Sequence, residues 1–199
     1  MDVHDGIHSK IQDFLKRQTI VPLAVDSMQP DGDAIIKAGV VPFVREGGYH
    51  FFMMKPVPKR PGLGAPSFQI CKGTRMHKPA GQGWVDLYDD TVSPGEKETL
   101  ALTAIREGIE ELGLKMSEIR RMLDVGAYDF ASAKTGKNRQ MWLFALEMAS
   151  EDDVLPMSEV AATTAERGWL SLEQFSVVGR EDHRYILTDI AARLQAYYI

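Results

Sequence analysis

Short apolar runs and polar punctuation alternate along the chain, and both regular periods are present. KAGVVPFV (37–44) and YHFFMMK (49–55) are nearly continuous in apolar residues and flank the turn REGG, which predicts two paired strands. RMLDVGAYDFAS and NRQMWLFALEM flank the polar AKTGK in the same way, while SFQICK (67–72) and RGWL (167–170) predict two further short strands. In HSKIQDFLKRQ (8–18), Ile11, Phe14, Leu15 and Gln18 recur at helical spacing and predict a short opening helix. DHRYILTDIAARLQAYY (182–198) predicts a closing amphipathic helix. A third helix runs from about Lys97 to Leu112, and Gly113 stops it, glycine being favoured just past a helix end. Residues 56–66 are rich in Pro and Gly and predict a loop. Residues 73–95 carry many breakers and no sustained period, which predicts a long connection of the kind that is often functional or mobile. Strands with few helices between them, and hairpins among them, predict a mixed sheet covered by helices.

Composition narrows this picture without changing it. The chain has 199 residues, 44% of them hydrophobic, enough for one domain with a sizeable core. A single cysteine, Cys71, excludes an internal disulfide framework and fits a reducing compartment. The formal charge of −5 argues against duplex nucleic acid as a general partner, since that partner calls for a basic footprint. MDVHDGIHSKIQDF lacks an apolar stretch of signal-peptide length, and no run approaches the roughly 20 apolar residues that cross a bilayer. The expectation is a soluble, cytoplasmic protein with no membrane partner.

The third helix poses the chemical question. REGIEELG (106–113) sets Glu107, Glu110 and Glu111 within five positions. At 100° per residue the three carboxylates occupy an arc of about 100°, while Leu102, Ile105, Ile109 and Leu112 cluster on the opposite side. Glu107 and Glu111 form an i, i+4 like-charge pair that costs roughly 0.2–0.5 kcal/mol. Glu110 and Glu111 also lie in the last turn, where the helix dipole disfavours carboxylates, and Gly108 in mid-helix adds about 0.5–1 kcal/mol relative to Ala. A divalent cation on that face would reverse the electrostatic part, and Mg²⁺, which takes oxygen ligands, suits it. The competing reading is a solvated acidic face, with Arg106 pairing with Glu110 and Lys115 with Glu111.

The stretch resembles the signature of the Nudix hydrolases: a glycine, five residues, a glutamate, seven residues, then Arg-Glu-U-X-Glu-Glu-X-Gly-U, where U is aliphatic. Arg106, Glu107, Glu110, Glu111, Gly113 and Leu114 all fall in place, and Glu98 stands seven intervening residues before Arg106. The pattern departs at Gly108, where an aliphatic residue is expected, and at Val92, where the first glycine is expected. Gly73 in ICKGT is the nearest functional counterpart of that glycine, which makes residues 74–94 an insertion within the box. Gly95 resembles the Gly-Glu approach to the family's helix but stands two positions early. AERGWLSLEQF resembles a later segment of the family and makes Glu166 a candidate fourth carboxylate. The resemblance implies one Nudix domain over 1–199, with 1–34 as an N-terminal extension. The implied class is α/β, the Nudix fold, a mixed β-sheet in an α/β/α sandwich.

The resemblance also implies a chemistry. Glu107, Glu110 and Glu111 would ligate Mg²⁺, with Mn²⁺ a substitute, and Gly73 would offer its carbonyl. The substrate would be a diphosphate joining a nucleoside to another moiety. Glu107 or Glu166 would accept the proton of the attacking water, while Glu98 and Arg106 would form a structural ion pair. Lys55, Lys59, Arg60, Lys72, Arg75 and Lys78 are candidates to hold phosphate. Trp84 and Tyr88 would stack on a ring or pin the insertion, and Tyr128 is a base-stacking candidate or an ordinary strand tyrosine. Cys71 reads as packing. No histidine pair has metal-ligand spacing, and no phosphate-cradling Gly-x-x-x-x-Gly-Lys-Ser/Thr loop is present. Dimers are common in the family, so the resemblance leaves a homodimer open, and nothing in the chain establishes one. The alternative is a Nudix-fold nucleotide-binding or regulatory module without turnover, against which the full set of box glutamates counts.

Overall fold

The computed structural model describes residues 3–23, 37–58, 66–87, 95–131 and 138–199. Its elements are, in chain order, α1 (Val3–Leu15), β1 (Ile20–Pro22), β2 (Lys37–Val44), β3 (His50–Pro56), β4 (Cys71–Thr74), β5 (Met76–Pro79), β6 (Val85–Asp86), β7 (Gly95–Lys97), α2 (Leu100–Glu107), β8 (Ile119–Ala131), β9 (Asn138–Met148), β10 (Thr164–Ser171), α3 (Leu172–Val178) and α4 (Glu181–Tyr197). Seven strands form one mixed sheet in the order β1-β8-β9-β2-β3-β10, with β4 paired to β2 beside this path. β1 runs parallel to β8 and β2 parallel to β9, and the other pairs are antiparallel.

The continuous apolar runs are explained by burial on both faces of the sheet. Along β2, Ala38, Val40 and Val44 face one core, with Ile11 and Phe14 of α1 and Leu102 and Ile105 of α2. Val41 and Phe43 face the other, with Phe175 of α3 and Ile186, Ile190 and Leu194 of α4. β9 alternates likewise: Trp142, Phe144 and Leu146 lie in the first core, and Met141, Leu143 and Ala145 in the second. The result is the α/β/α sandwich expected from the sequence.

Several boundaries differ from the expectation. The opening helix begins at Val3 and ends at Leu15. Lys97 belongs to β7, and α2 starts at Leu100 behind Thr99, whose side chain accepts from the Leu102 N–H. In SFQICK the regular strand starts only at Cys71, while Phe68 and Gln69 make isolated bridges to Gly179 and Met54. The largest difference is the insertion. Where a long connection was expected, β6-β5-β7 form a separate three-stranded antiparallel sheet. Strands of two to four residues are too short to display a period of two, and Gly and Pro mask what remains. Residues 88–94, with Tyr88 and Val92, lie outside the described residues, as do 24–36 and 132–137. Among the described residues no helix is long and apolar enough to cross a membrane.

Candidate functional site

α2 lies against β2, and it ends in a single π-helical turn, Gly108–Leu112, before Gly113 closes it at φ +68°. Such turns occur often at functional sites, and this one carries Glu110 and Glu111. An ideal Cβ on Gly108 would stand 2.9 Å from Leu114 Cδ1 and 3.0 Å from Val40 Cγ2. The close approach of helix to sheet accounts for glycine at the position where the signature has an aliphatic residue.

The site is organised around a buried ion pair. Glu98 is 1% exposed, and both of its oxygens are saturated. Oε1 accepts from Arg106 Nε at 2.8 Å and meets His8 Nε2 at 2.5 Å. Oε2 accepts from the Met76 N–H and the Thr103 hydroxyl, both at 2.9 Å, and from Arg106 Nη2 at 3.2 Å. Burial disfavours the Glu98 charge, but the bonds from His8 and Arg106, the Arg106 charge and the Met76 N–H outweigh it and hold the carboxyl down to about 2. Arg106 is thereby fixed. Its Nη2 also donates to the Thr74 carbonyl at 2.9 Å, and its Nη1 lies 2.7 Å from Glu107 Oε1 and 2.9 Å from Glu110 Oε2.

The three glutamates have distinct surroundings. Glu107 is buried and packs against Gly73 so closely that a Cβ on the glycine would overlap its carboxylate. Burial pushes the Glu107 carboxyl up to about 7; Arg106 draws it down, and Glu111 and Glu110 push it further up. Glu111 is also raised, first by burial; the Cys71 thiol and Lys72 work the other way. Cys71 Sγ donates to Glu111 Oε2 at 3.6 Å and to the Glu107 carbonyl at 3.4 Å. Burial and the two glutamates raise the thiol well above its ordinary range, so it stays protonated packing. Among the described residues no three His, Cys, Asp or Glu side chains form a ready-made cluster that could hold a metal. The Arg106 guanidinium engages both Glu107 and Glu110, and Glu111 engages Cys71.

Glu166 sits on β10 in register with Lys55 of β3, and their side chains pair at 2.6 Å. Other residues of β10 reach the end of the box helix. The Thr164 hydroxyl donates to the Glu111 carbonyl at 3.0 Å, and the Arg167 guanidinium donates to the Leu112 and Leu155 carbonyls. Burial, with Arg180 and Lys37 nearby, lowers Lys72 to about 8.

Other candidates have structural partners. Arg75 donates twice to the Glu98 carbonyl, and Lys78 pairs with Asp5 of α1 at 2.6 Å. Trp84 is buried, donates to Asp5 Oδ1 at 3.0 Å and packs on His8, which pins the insertion to α1. Tyr128 is buried and donates to Asp189 of α4 at 2.6 Å. Lys59 and Arg60 lie outside the described residues. His8 has no signal in the sequence: it belongs to no motif and meets Glu98 across 90 positions.

No protein-family model and no curated protein matches the chain. Solved structures do. An Ap4A hydrolase from C. elegans in a binary complex is 17% identical, covers 81% of this chain and 99% of its own, and superposes with a TM-score of 0.54. The NUDIX domain of Shewanella oneidensis NrtR complexed with ADP ribose is 10% identical over 93% of this chain and 97% of its own, with a TM-score of 0.52. RenU, a Nudix hydrolase from M. smegmatis, is 14% identical over 80% and 86%, with a TM-score of 0.52. A mixed sheet between helical layers is the architecture this chain shares with these proteins. The chain has the Nudix fold.

Proposed function

We propose that this protein is a Mg²⁺-dependent hydrolase that cleaves the diphosphate linkage of a nucleoside diphosphate derivative. The observation that carries the reading is Glu107, buried between the Gly73 backbone and the Arg106 guanidinium, with Glu110 on the same Nη1 atom. A fold alone would leave those carboxylates free to spread into solvent. Here one is pressed inward at an electrostatic cost that rises with its ionisation. Glu107, Glu110, Glu111 and the Gly73 carbonyl would offer only oxygen donors, and that chemistry fits a hard divalent cation.

Glu107, Glu110 and Glu111 would hold the ion, with the Gly73 carbonyl beside them. A bound Mg²⁺ supplies charge neutralisation at the phosphate oxygens and a more acidic water. Arg106 fixes the carboxylates and Glu98 fixes Arg106. Glu107 or Glu166, the latter paired with Lys55, would accept the water's proton. Likeness to an Ap4A hydrolase and to a NUDIX domain complexed with ADP ribose supports a nucleotide-derived substrate.

The test is a panel of ADP-ribose, dinucleoside polyphosphates, nucleoside triphosphates and nucleotide sugars, each with Mg²⁺ and with Mn²⁺. Turnover of a panel member, abolished by Glu110→Gln or Glu111→Gln, is the expected result. No product from any member with either ion overturns the reading, and tight binding without product assigns the site to a binding module.

A further inference from the structure

α1 lies outside the box, yet it delivers a side chain into the box's central ion pair. His8 is 3% exposed and its Nε2 meets Glu98 Oε1 at 2.5 Å. The ring is held in turn: it packs on Trp84 at 4.1 Å between centroids, and Trp84 donates back to Asp5, one helical turn before His8. Lys78 of the insertion pairs with the same Asp5 oxygen. The helix and the insertion thus brace one imidazole against one carboxylate.

The Glu98 carboxylate accepts from His8 and Arg106 at one oxygen and from Met76, Thr103 and Arg106 at the other. Two oxygens offer about four lone-pair sites, so this carboxylate is saturated and cannot rotate without breaking bonds. Take away His8 and Oε1 keeps only Arg106 among its protein partners. A buried charged acceptor short of a partner is costly, and the least costly relief is a turn of the carboxylate. Arg106 Nε and Nη2 follow Glu98, and Nη1 then leaves its position between Glu107 and Glu110.

We propose that His8 is a positioning residue of the hydrolytic site, which fixes Glu98 and, through Arg106, the Glu107–Glu110 pair, so that α1 is part of the site's machinery. This rests on the hydrolase reading given above. The partner of a buried ligand-orienting group commonly changes metal affinity or activity by about 10–100-fold when removed. His8 acts through two residues, so the lower end applies.

The experiment compares the full-length parent, His8→Ala and His8→Gln, whose amide N–H can stand where Nε2 stands. Mn²⁺ binding is followed by electron paramagnetic resonance, and kcat and KM are measured on the substrate found in the panel. Ile190→Val, in the core on the other side of the sheet, controls for lost stability. The expected result is Mn²⁺ affinity and kcat each about tenfold lower in His8→Ala, KM within about twofold, and recovery in His8→Gln. Ile190→Val should lower only the melting temperature. If His8→Ala holds Mn²⁺ within about twofold of the parent, or if His8→Gln fails to recover it, the proposal is overturned. A parent that binds Mn²⁺ but hydrolyses nothing would instead overturn the hydrolase reading, while Mn²⁺ affinity still reads the action of His8.

Discussion

Gly73 and Glu107 are fitted to one another: the backbone of β4 passes where only a residue without a Cβ leaves room for the carboxylate. The two are far apart in sequence, and the insertion between them is folded back as its own small sheet, so that the strand end and the box helix meet directly.

Gly73→Ala should therefore act on the site rather than on the fold. The added methyl displaces the Glu107 carboxylate from its place beside Arg106. Displacing a reacting group by about 1 Å can cost a hundredfold in rate, and a loss of that order is expected with little change in the far-ultraviolet circular dichroism. Steady-state assays with Mg²⁺ check it; parent-like activity would mean that the Glu107 position is immaterial.

Glu111→Gln should separate activity from stability. The Glu111 carboxyl is raised in the folded protein, first by burial. A raised folded value means that its contribution to stability is present at pH below about 4.5, the unfolded value, and is lost as the pH climbs through the folded value. At pH 8 without divalent cation, the charged side chain is a net burden that glutamine lacks. The variant should melt above the parent at pH 8 and match it more closely at pH 5, while its activity falls by more than about a hundredfold. Thermal melts at the two pH values, with chelator, measure the difference.

Gly108→Leu restores the aliphatic residue of the signature and should nonetheless destabilise. Its Cβ would crowd Leu114 and Val40, and the rest of the side chain needs space that the helix–sheet contact does not provide. Overpacking of this kind costs about 1–3 kcal/mol. Gly108→Ala should be far milder, because helix propensity returns about 0.5–1 kcal/mol and both near atoms are side-chain ends. Urea denaturation of the two variants ranks them.

Acid sensitivity should trace in part to His183. This residue is fully buried, and its Nδ1 accepts the Ile70 N–H at 2.9 Å. Burial, then the charges of Lys72 and Arg180, depress it to about 2. A depressed value means that the folded state refuses a proton the unfolded state accepts below about 6.5, so stability falls as the pH falls from there toward 2. His183→Asn keeps an acceptor near Nδ1 and cannot titrate. Between pH 6.5 and 4.5 the melting temperature of the parent should drop more steeply than that of the variant; equal slopes would contradict the assignment.

The sequence made the strands at 37–44 and 49–55 and the closing helix legible, because each is long enough to show its period. The Nudix resemblance located the box helix and implied the Glu98–Arg106 ion pair, which the structure shows as bidentate. The remainder was hidden for physical reasons. β5, β6 and β7 are too short to carry a pattern, and Ile20–Pro22 is a strand only because β8 lies beside it. The π turn arises where the helix meets the sheet, and no local residue announces it. His8 acts across space, with one lone imidazole on a helix, and spacing rules do not reach such contacts.

β2 is the strand on which everything converges, paired to β9, β3 and β4 and covered by α2. Its parallel partner arrives late: Ala38 waits for Trp142. As the chain leaves the ribosome, the box helix is therefore complete before the sheet it lies on can close. Pairings so distant along the chain slow folding. Until α3 and α4 emerge, the nascent chain would leave the Val41 and Phe43 face of β2 without its helical cover, so the interval before Tyr197 is synthesised is when a chaperone has most to shield.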